Sequence, residues 1–131
     1  MAKFSDSSHV WFQAMPWERV VAMNEQLCAV RNALHKSTSA CEKVAEVWKE
    51  RQHRETTFRK AVDLLRWCHQ AAPFCFFNGN TFAAIALTLL GKLEASPAEG
   101  AALRSAVGHY VAGVVGAAEF AQMMATLDNN P

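Results

Sequence analysis

Large apolar residues recur at helical spacing in four stretches of this chain, and no stretch alternates as a half-buried strand would. The segment 49–57 lacks a large hydrophobe, so a break is allowed around 50–57. The sequence therefore predicts an all-α fold, a compact bundle of about four helices preceded by a short aromatic N-terminal arm. One domain is predicted, residues 1–131. The predicted helices lie near 16–36, 39–71, 79–94 and 97–128.

Two Ser-x-x-Glu sequences predict where helices begin. In such a capping box the serine side chain accepts a hydrogen bond from the backbone of the third helical residue, and the glutamate side chain bonds back to the serine amide. Ser39 and Glu42 form one box, and Ser96 and Glu99 form the other. The second box also has a proline at the first helical position, where proline is favoured. The boxes predict the starts of the second and fourth helices.

The stretch AAPFCFFNGNTF, residues 71–82, is interpreted as a tight corner between two helices. Pro73 disfavours helix in the residue before it. If Asn78 caps the next helix, Phe77 and Phe82 take the positions of a hydrophobic staple. An anion-binding loop is the alternative, because free amides at a helix start attract anions. A capping asparagine would already satisfy these amides, so a structural corner is favoured.

The predicted last helix carries a face of small residues, Gly108, Ala112 and Gly116. Glycine inside a helix costs about 1 kcal/mol relative to alanine. The spacing is therefore interpreted as a place where another helix approaches closely. Whether that helix belongs to the same chain or to a partner stays open at this stage.

Charge is distributed unevenly along the chain, although the net charge is only +1. The net value gives no general argument for nucleic-acid or membrane binding. Residues 36–66, however, contain eight basic and five acidic side chains. An anionic partner is therefore expected to contact this middle third.

The sequence predicts a cytoplasmic protein without membrane contact. The N-terminal residues lack the apolar core of a signal peptide. The most apolar run, residues 110–118, is much shorter than the roughly 20 residues of a spanning helix. The four cysteines show no CxxC spacing and lie among hydrophobic residues, as reduced cysteines do.

Two side-chain clusters have the composition of an active site, but neither has the required arrangement. Glu50 and His53 have Glu-x-x-His spacing, whereas a di-iron bundle needs two such motifs and further carboxylates. Cys68 and His69 point about 100° apart on a helix, so they cannot pair as nucleophile and base. With Cys75 they form the thiol cluster. The chain is predicted to have no catalytic residue, metal site or cofactor, and a small metal- or thiol-dependent enzyme is the last alternative.

The polar segment 49–60 has no apolar stripe and is rich in cations. A solvated helix face is the usual explanation for such a segment. Arginine, however, suits contacts with phosphate, so binding of a nucleic-acid backbone within a ribonucleoprotein is the second function hypothesis. The residues predicted for that role are Arg51, Arg54, Arg59, Lys60 and Arg66.

The N-terminal arm concentrates five large apolar residues within eight positions. They either cover the open end of the bundle, which is favoured, or bind a partner, since tryptophan and methionine are enriched in interfaces. The leading function hypothesis is a non-catalytic assembly or adaptor subunit acting through protein–protein contacts or self-association. The residues predicted for partner binding are Val10, Trp11, Phe12, Met15 and Trp17.

Overall fold

The computed structural model describes residues 3–129, of which most are helical. The four outermost residues of the predicted domain 1–131 lie outside this range. Within it the chain forms six helices, so the predicted number of four is wrong, although the mainly helical fold is confirmed. Two two-residue strands, β1 (Ser8–His9) and β2 (Thr56–Thr57), pair antiparallel. The helices are α1 (Trp17–Val30), α2 (Cys41–Arg51), α3 (Phe58–Ala71), α4 (Asn78–Leu89), α5 (Pro97–Val111) and α6 (Ala117–Asp128), with a 3-10 turn at Leu90–Lys92.

The extra helices arise where two predicted helices are interrupted. The break allowed around 50–57 is real, since α2 ends at Arg51 and α3 begins at Phe58. The predicted helix 97–128 also divides, because Gly113 adopts a left-handed backbone conformation with φ of 83°. Arg66 stabilises this bend by donating from Nη1 to the carbonyls of Tyr110 and Val115, at 2.6 and 2.8 Å.

The first helix is shorter than predicted, and its last apolar residues face solvent. It ends at Val30, and Asn32 takes a left-handed conformation with φ of 54° that stops the helix from continuing to residue 36. Val30 and Leu34 are 74% and 67% exposed, so the predicted apolar stripe does not extend to them. The chain then runs beside the 71–82 corner, where Ser37 and Phe74 form a β-bridge.

One of the two predicted capping boxes is present. Ser96 accepts from the Glu99 amide at 3.2 Å, and Glu99 accepts from the Ser96 amide at 2.9 Å. The box at Ser39 is wrong, because α2 begins two residues later at Cys41 and has no side-chain cap. Thr38 explains the shift, since its hydroxyl accepts from the Ala40 amide and donates to the Ala72 carbonyl.

The 71–82 stretch is a corner, but Asn78 does not cap it as predicted. Phe77 occupies the position before α4 with a φ of 62°, and Asn78 is the first helical residue. The Asn78 side chain instead donates to the Phe74 carbonyl and accepts from the Phe74 amide, at 2.7 and 3.0 Å. A Cβ at position 79 would lie 3.3 Å from Nε2 of His69, so a larger residue there would require the His69 ring to shift slightly.

A buried polar residue fixes this corner against α1. Asn24 is fully buried and donates from Nδ2 to the Phe76 carbonyl at 2.8 Å and to the Thr81 hydroxyl at 3.1 Å. Without these hydrogen bonds the two acceptors would be buried away from water with no donor from α1, which is energetically costly. The corner is therefore held by specific hydrogen bonds as well as by its aromatic residues.

The small-residue face of the predicted last helix is explained only in part by close packing. A Cβ at Gly108 would lie 3.9 Å from Leu87 on α4, so this glycine faces a helix of the same chain. Ala112 and Gly116 instead flank the bend between α5 and α6, and no atom lies within 4 Å of a Cβ built at Gly116.

The core lies where α3 packs against both α4 and α5. Apolar side chains at helical spacing from these three helices fill the centre. The largest of them that are fully buried are Phe58, Leu65, Phe82, Ile85 and Leu103.

Within residues 3–129, none of the helices has the length and apolarity needed to span a bilayer.

The two ends of the described chain are joined by one carboxylate. Asp128, at the end of α6, accepts from the amides of Phe4 and Ser5 and from the Ser5 hydroxyl, at 2.7, 3.2 and 2.6 Å. Phe4 is itself 1% exposed, so this contact holds an apolar side chain in the core. The start of the arm is thereby attached to the last helix.

Replacing Asp128 by alanine is expected to lower the free energy of unfolding by about 2–3 kcal/mol, because three donors lose a charged acceptor. Urea denaturation of the full chain measures this change. Asp6→Ala is the matched control, since Asp6 is exposed, and its effect should stay within about 0.5 kcal/mol. Equal effects of the two replacements would contradict the proposed attachment.

Candidate functional site

The predicted aromatic arm lies against the end of α2 and the start of α3, not in solvent. The Trp11 ring lies 5.5 Å from the Phe58 ring, and its indole N–H donates to the Thr56 carbonyl at 2.7 Å. The neighbouring β1–β2 pair holds the arm beside the first residues of α3. Trp11 is 4% exposed. This half of the arm is thus part of the folded core.

The next residues of the arm attach α2 to the bundle through Trp48. The Trp48 ring lies 4.8 Å from Phe12, 6.0 Å from Trp17 and 6.4 Å from Phe82 of α4. Its indole N–H donates to the Met15 carbonyl at 2.9 Å. Because Trp48 and Val44 are the buried residues of α2, these two side chains attach the helix to the bundle.

Three of the five residues predicted for partner binding are therefore in the core. Trp11, Phe12 and Trp17 are buried, whereas Val10 and Met15 are partly exposed. This placement agrees with the favoured expectation that the arm covers the bundle. A partner would reach this cluster only at its edges.

A groove remains between α2 and α3 beside the arm, and it is here called the α2–α3 groove. Its volume is about 590 Å³. Residues at helical spacing on both helices line it, since 47 and 51 lie on α2 and 60, 64 and 67 lie on α3. The apolar lining consists of Phe12, Val47, Ala61, Leu64 and Trp67, and the polar lining consists of Arg51, Arg54, Glu55, Thr56, Lys60 and Asp63.

Trp67 is the tryptophan of this chain that reaches solvent. It is 37% exposed, whereas the other three tryptophans are buried. The sequence does not single out Trp67, because periodicity does not indicate which helix faces lie beside a groove. The apolar lining of the groove therefore includes a large ring open to solvent.

Three of the five predicted phosphate-binding cations line the groove. Within the part of the chain that the structure describes, the side chains of Arg51 and Lys60 form no hydrogen bond or ion pair. Arg54 pairs with Glu50 at 3.1 Å, as expected from their spacing, but both side chains are more than half exposed. Such an exposed pair contributes little to stability and competes weakly with a ligand.

The other two predicted cations contact α5 and α6 instead. Arg59 lies 3.4 Å from Asp63, and its guanidinium stacks over the Phe120 ring at 4.8 Å. Arg66 binds the carbonyls at the bend after α5 and lies 4.4 Å above the Tyr110 ring. The structure therefore divides the five predicted residues between two surfaces.

The acidic side chains of the groove already have donors. Asp63 accepts from the Tyr110 hydroxyl at 2.7 Å as well as from Arg59. Burial, followed by the hydrogen bond to Asp63, raises the pKa of Tyr110 above its usual value. Glu55 accepts from the Ser8 hydroxyl at 3.2 Å. Asp63 is paired with Arg59, so among the described residues the groove charges without an oppositely charged partner are Arg51, Lys60 and Glu55.

The thiol and metal clusters weighed from the sequence do not come together. Among residues 3–129 there is no group of three or more His, Cys, Asp or Glu side chains placed to hold a metal ion. Burial raises the pKa of the Cys68 thiol to about 12, which leaves almost no thiolate at neutral pH. The Nδ1 atom of His69 hydrogen-bonds the Val111 carbonyl at 2.7 Å, away from any thiol. Cys75 is exposed.

Comparison of the chain with protein-family models, with curated proteins and with solved structures gave no match. The function is therefore inferred from the geometry of the groove.

Treatment of the native protein with Ellman's reagent at pH 8 is expected to label the exposed Cys75 promptly and the half-buried Cys41 more slowly. Cys28 and Cys68 should react only after unfolding, because both are buried. Absorbance at the wavelength of the released thiolate follows the rates. Cys75→Ser should remove the fast phase. Prompt labelling of Cys68 in the native protein would instead indicate an accessible, activated thiol and would favour the thiol-enzyme alternative.

Proposed function

We propose that the chain is a non-catalytic helical assembly or adaptor subunit that binds a protein partner in the α2–α3 groove. The observation that carries the proposal is the apolar lining of this groove, with Trp67 37% exposed, beside Arg51 and Lys60, whose side chains have no partner among residues 3–129. An apolar centre with a charged rim is the usual anatomy of a protein interface. Tryptophan and arginine are the residues most often dominant in binding energy there.

The residues that line the groove support a binding role over a catalytic one. Its polar lining is mainly cationic, and of its two acids Asp63 already accepts from Tyr110 and Arg59. General acid–base chemistry needs a positioned group free to exchange a proton with a substrate. The groove instead presents an apolar surface, and burying that surface against a partner is energetically favourable.

Binding of a nucleic-acid backbone is less well supported by the same residues. Two of the five cations proposed for that role, Arg59 and Arg66, stabilise contacts within the chain. The remaining three border an apolar surface that phosphates would not cover. A protein segment can cover the apolar lining and contact the cations together.

Photo-crosslinking tests the proposal. Replacing Trp67 by p-benzoylphenylalanine keeps a large aromatic group at the groove, and irradiation in cells of the native host followed by mass spectrometry identifies what lies against it. A discrete protein adduct is expected. Val114 is the control position, since it is 72% exposed but lies at the bend between α5 and α6, away from the groove.

The same adducts at both positions would show that the groove is not selective. Nucleic-acid adducts at position 67 in place of protein would overturn the proposal and favour the alternative function.

A further inference from the structure

We infer that the occupant of the α2–α3 groove is a short acidic protein segment that carries large apolar side chains. This inference rests on the proposed function and adds the chemistry of the partner. It is argued from the size of the groove and from the charges left without a partner inside it.

The size of the groove limits how much of a partner enters it. Its volume of about 590 Å³ lies within the range of roughly 300–1,000 Å³ seen for pockets that bury small ligands. A few side chains of a partner fit into such a volume, whereas a whole helix does not. Phe12 and Leu64 are buried, and Val47 and Trp67 are accessible beside them, so the entering side chains should be apolar.

The charges of the groove determine the sign of the charge that a partner should carry. Covering the groove removes water from Arg51 and Lys60, which have no partner within residues 3–129. A cation that loses its water without gaining an anion is strongly unfavourable. The acids of the groove offset only part of this charge, because the lining has three basic residues against two acids and Asp63 is already paired with Arg59. Carboxylates on the partner would satisfy both cations.

The two cationic residues both lie in helices, so the distance between their backbones is fixed. Arg51 is the last residue of α2, and Lys60 lies in the first turn of α3. Apart from Phe12 of the arm, the apolar lining lies on the same two helices, at the same or neighbouring turns. An acidic segment with apolar residues placed between its carboxylates would match both features at once.

Selection from a phage-displayed library of random 12-residue peptides on the full chain tests the inference. The enriched peptides are expected to carry net negative charge and at least one large apolar residue. Affinity of the synthesised peptides is then measured by calorimetry. The double variant Arg51→Glu, Lys60→Glu should weaken binding by about tenfold or more, and raised salt should weaken it as well.

The matched control is Lys36→Glu, Arg104→Glu, which changes the net charge equally at exposed residues outside the groove. This variant should bind as the wild type does, and circular dichroism verifies the fold of both. Equal loss in both double variants would mean that only overall charge matters, and it would overturn the inference.

Two further outcomes separate failure of this inference from failure of the proposed function. Enriched peptides that are neutral or basic, and whose binding is abolished by Trp67→Glu, would overturn the acidic partner while leaving the groove as a protein-binding site. Peptides insensitive to Trp67→Glu, together with binding of single-stranded RNA that requires Arg51 and Lys60, would overturn both.

Discussion

The attachment of α2 to the rest of this protein depends on the aromatic contacts of Trp48. The Trp48 ring lies close to Phe12, Trp17 and Phe82, and its indole N–H is bonded to the Met15 carbonyl. Aromatic pairs of this kind contribute about 0.5–1.5 kcal/mol each beyond the burial of their area. Together with the buried Val44 they attach α2 to the bundle, since α2 itself makes few close contacts with other helices. The fold is thus a helical core with one helix held by an aromatic cluster.

This arrangement explains why the α2–α3 groove exists and why it is charged as it is. The arm occupies the space beside α2 and α3 and contributes Phe12 to the groove lining. Arg59 and Arg66, on α3, face the α5–α6 side and stabilise it, whereas Arg51 and Lys60 border the groove and form no such contact. One polar segment therefore serves two purposes, internal support on one face and an accessible cationic rim on the other.

Much of the helical fold was predictable from local rules, and the tertiary details were not. The Ser96 box follows from a short sequence pattern and was predicted correctly, and the break after Arg51 lies where the sequence allowed one. The bend at Gly113 was missed, because a single glycine within an apolar run does not distinguish a helix interior from a left-handed turn. Asn78 was misassigned as a cap since its partner, the Phe74 backbone, becomes available only when the corner folds. The groove and exposed Trp67 depend on how helices diverge, which periodicity does not encode.

Hydrogen–deuterium exchange of the wild type and Trp48→Leu tests most directly whether Trp48 holds α2 in place. Leucine keeps the site apolar but removes the ring contacts and the hydrogen bond to Met15. The expected result is a large loss of amide protection in α2, while amides of α4 and α5 remain protected under native conditions, because regions with few contacts open independently. Wild-type protection of α2 in the variant would contradict the account, since α2 would then be held by something other than Trp48.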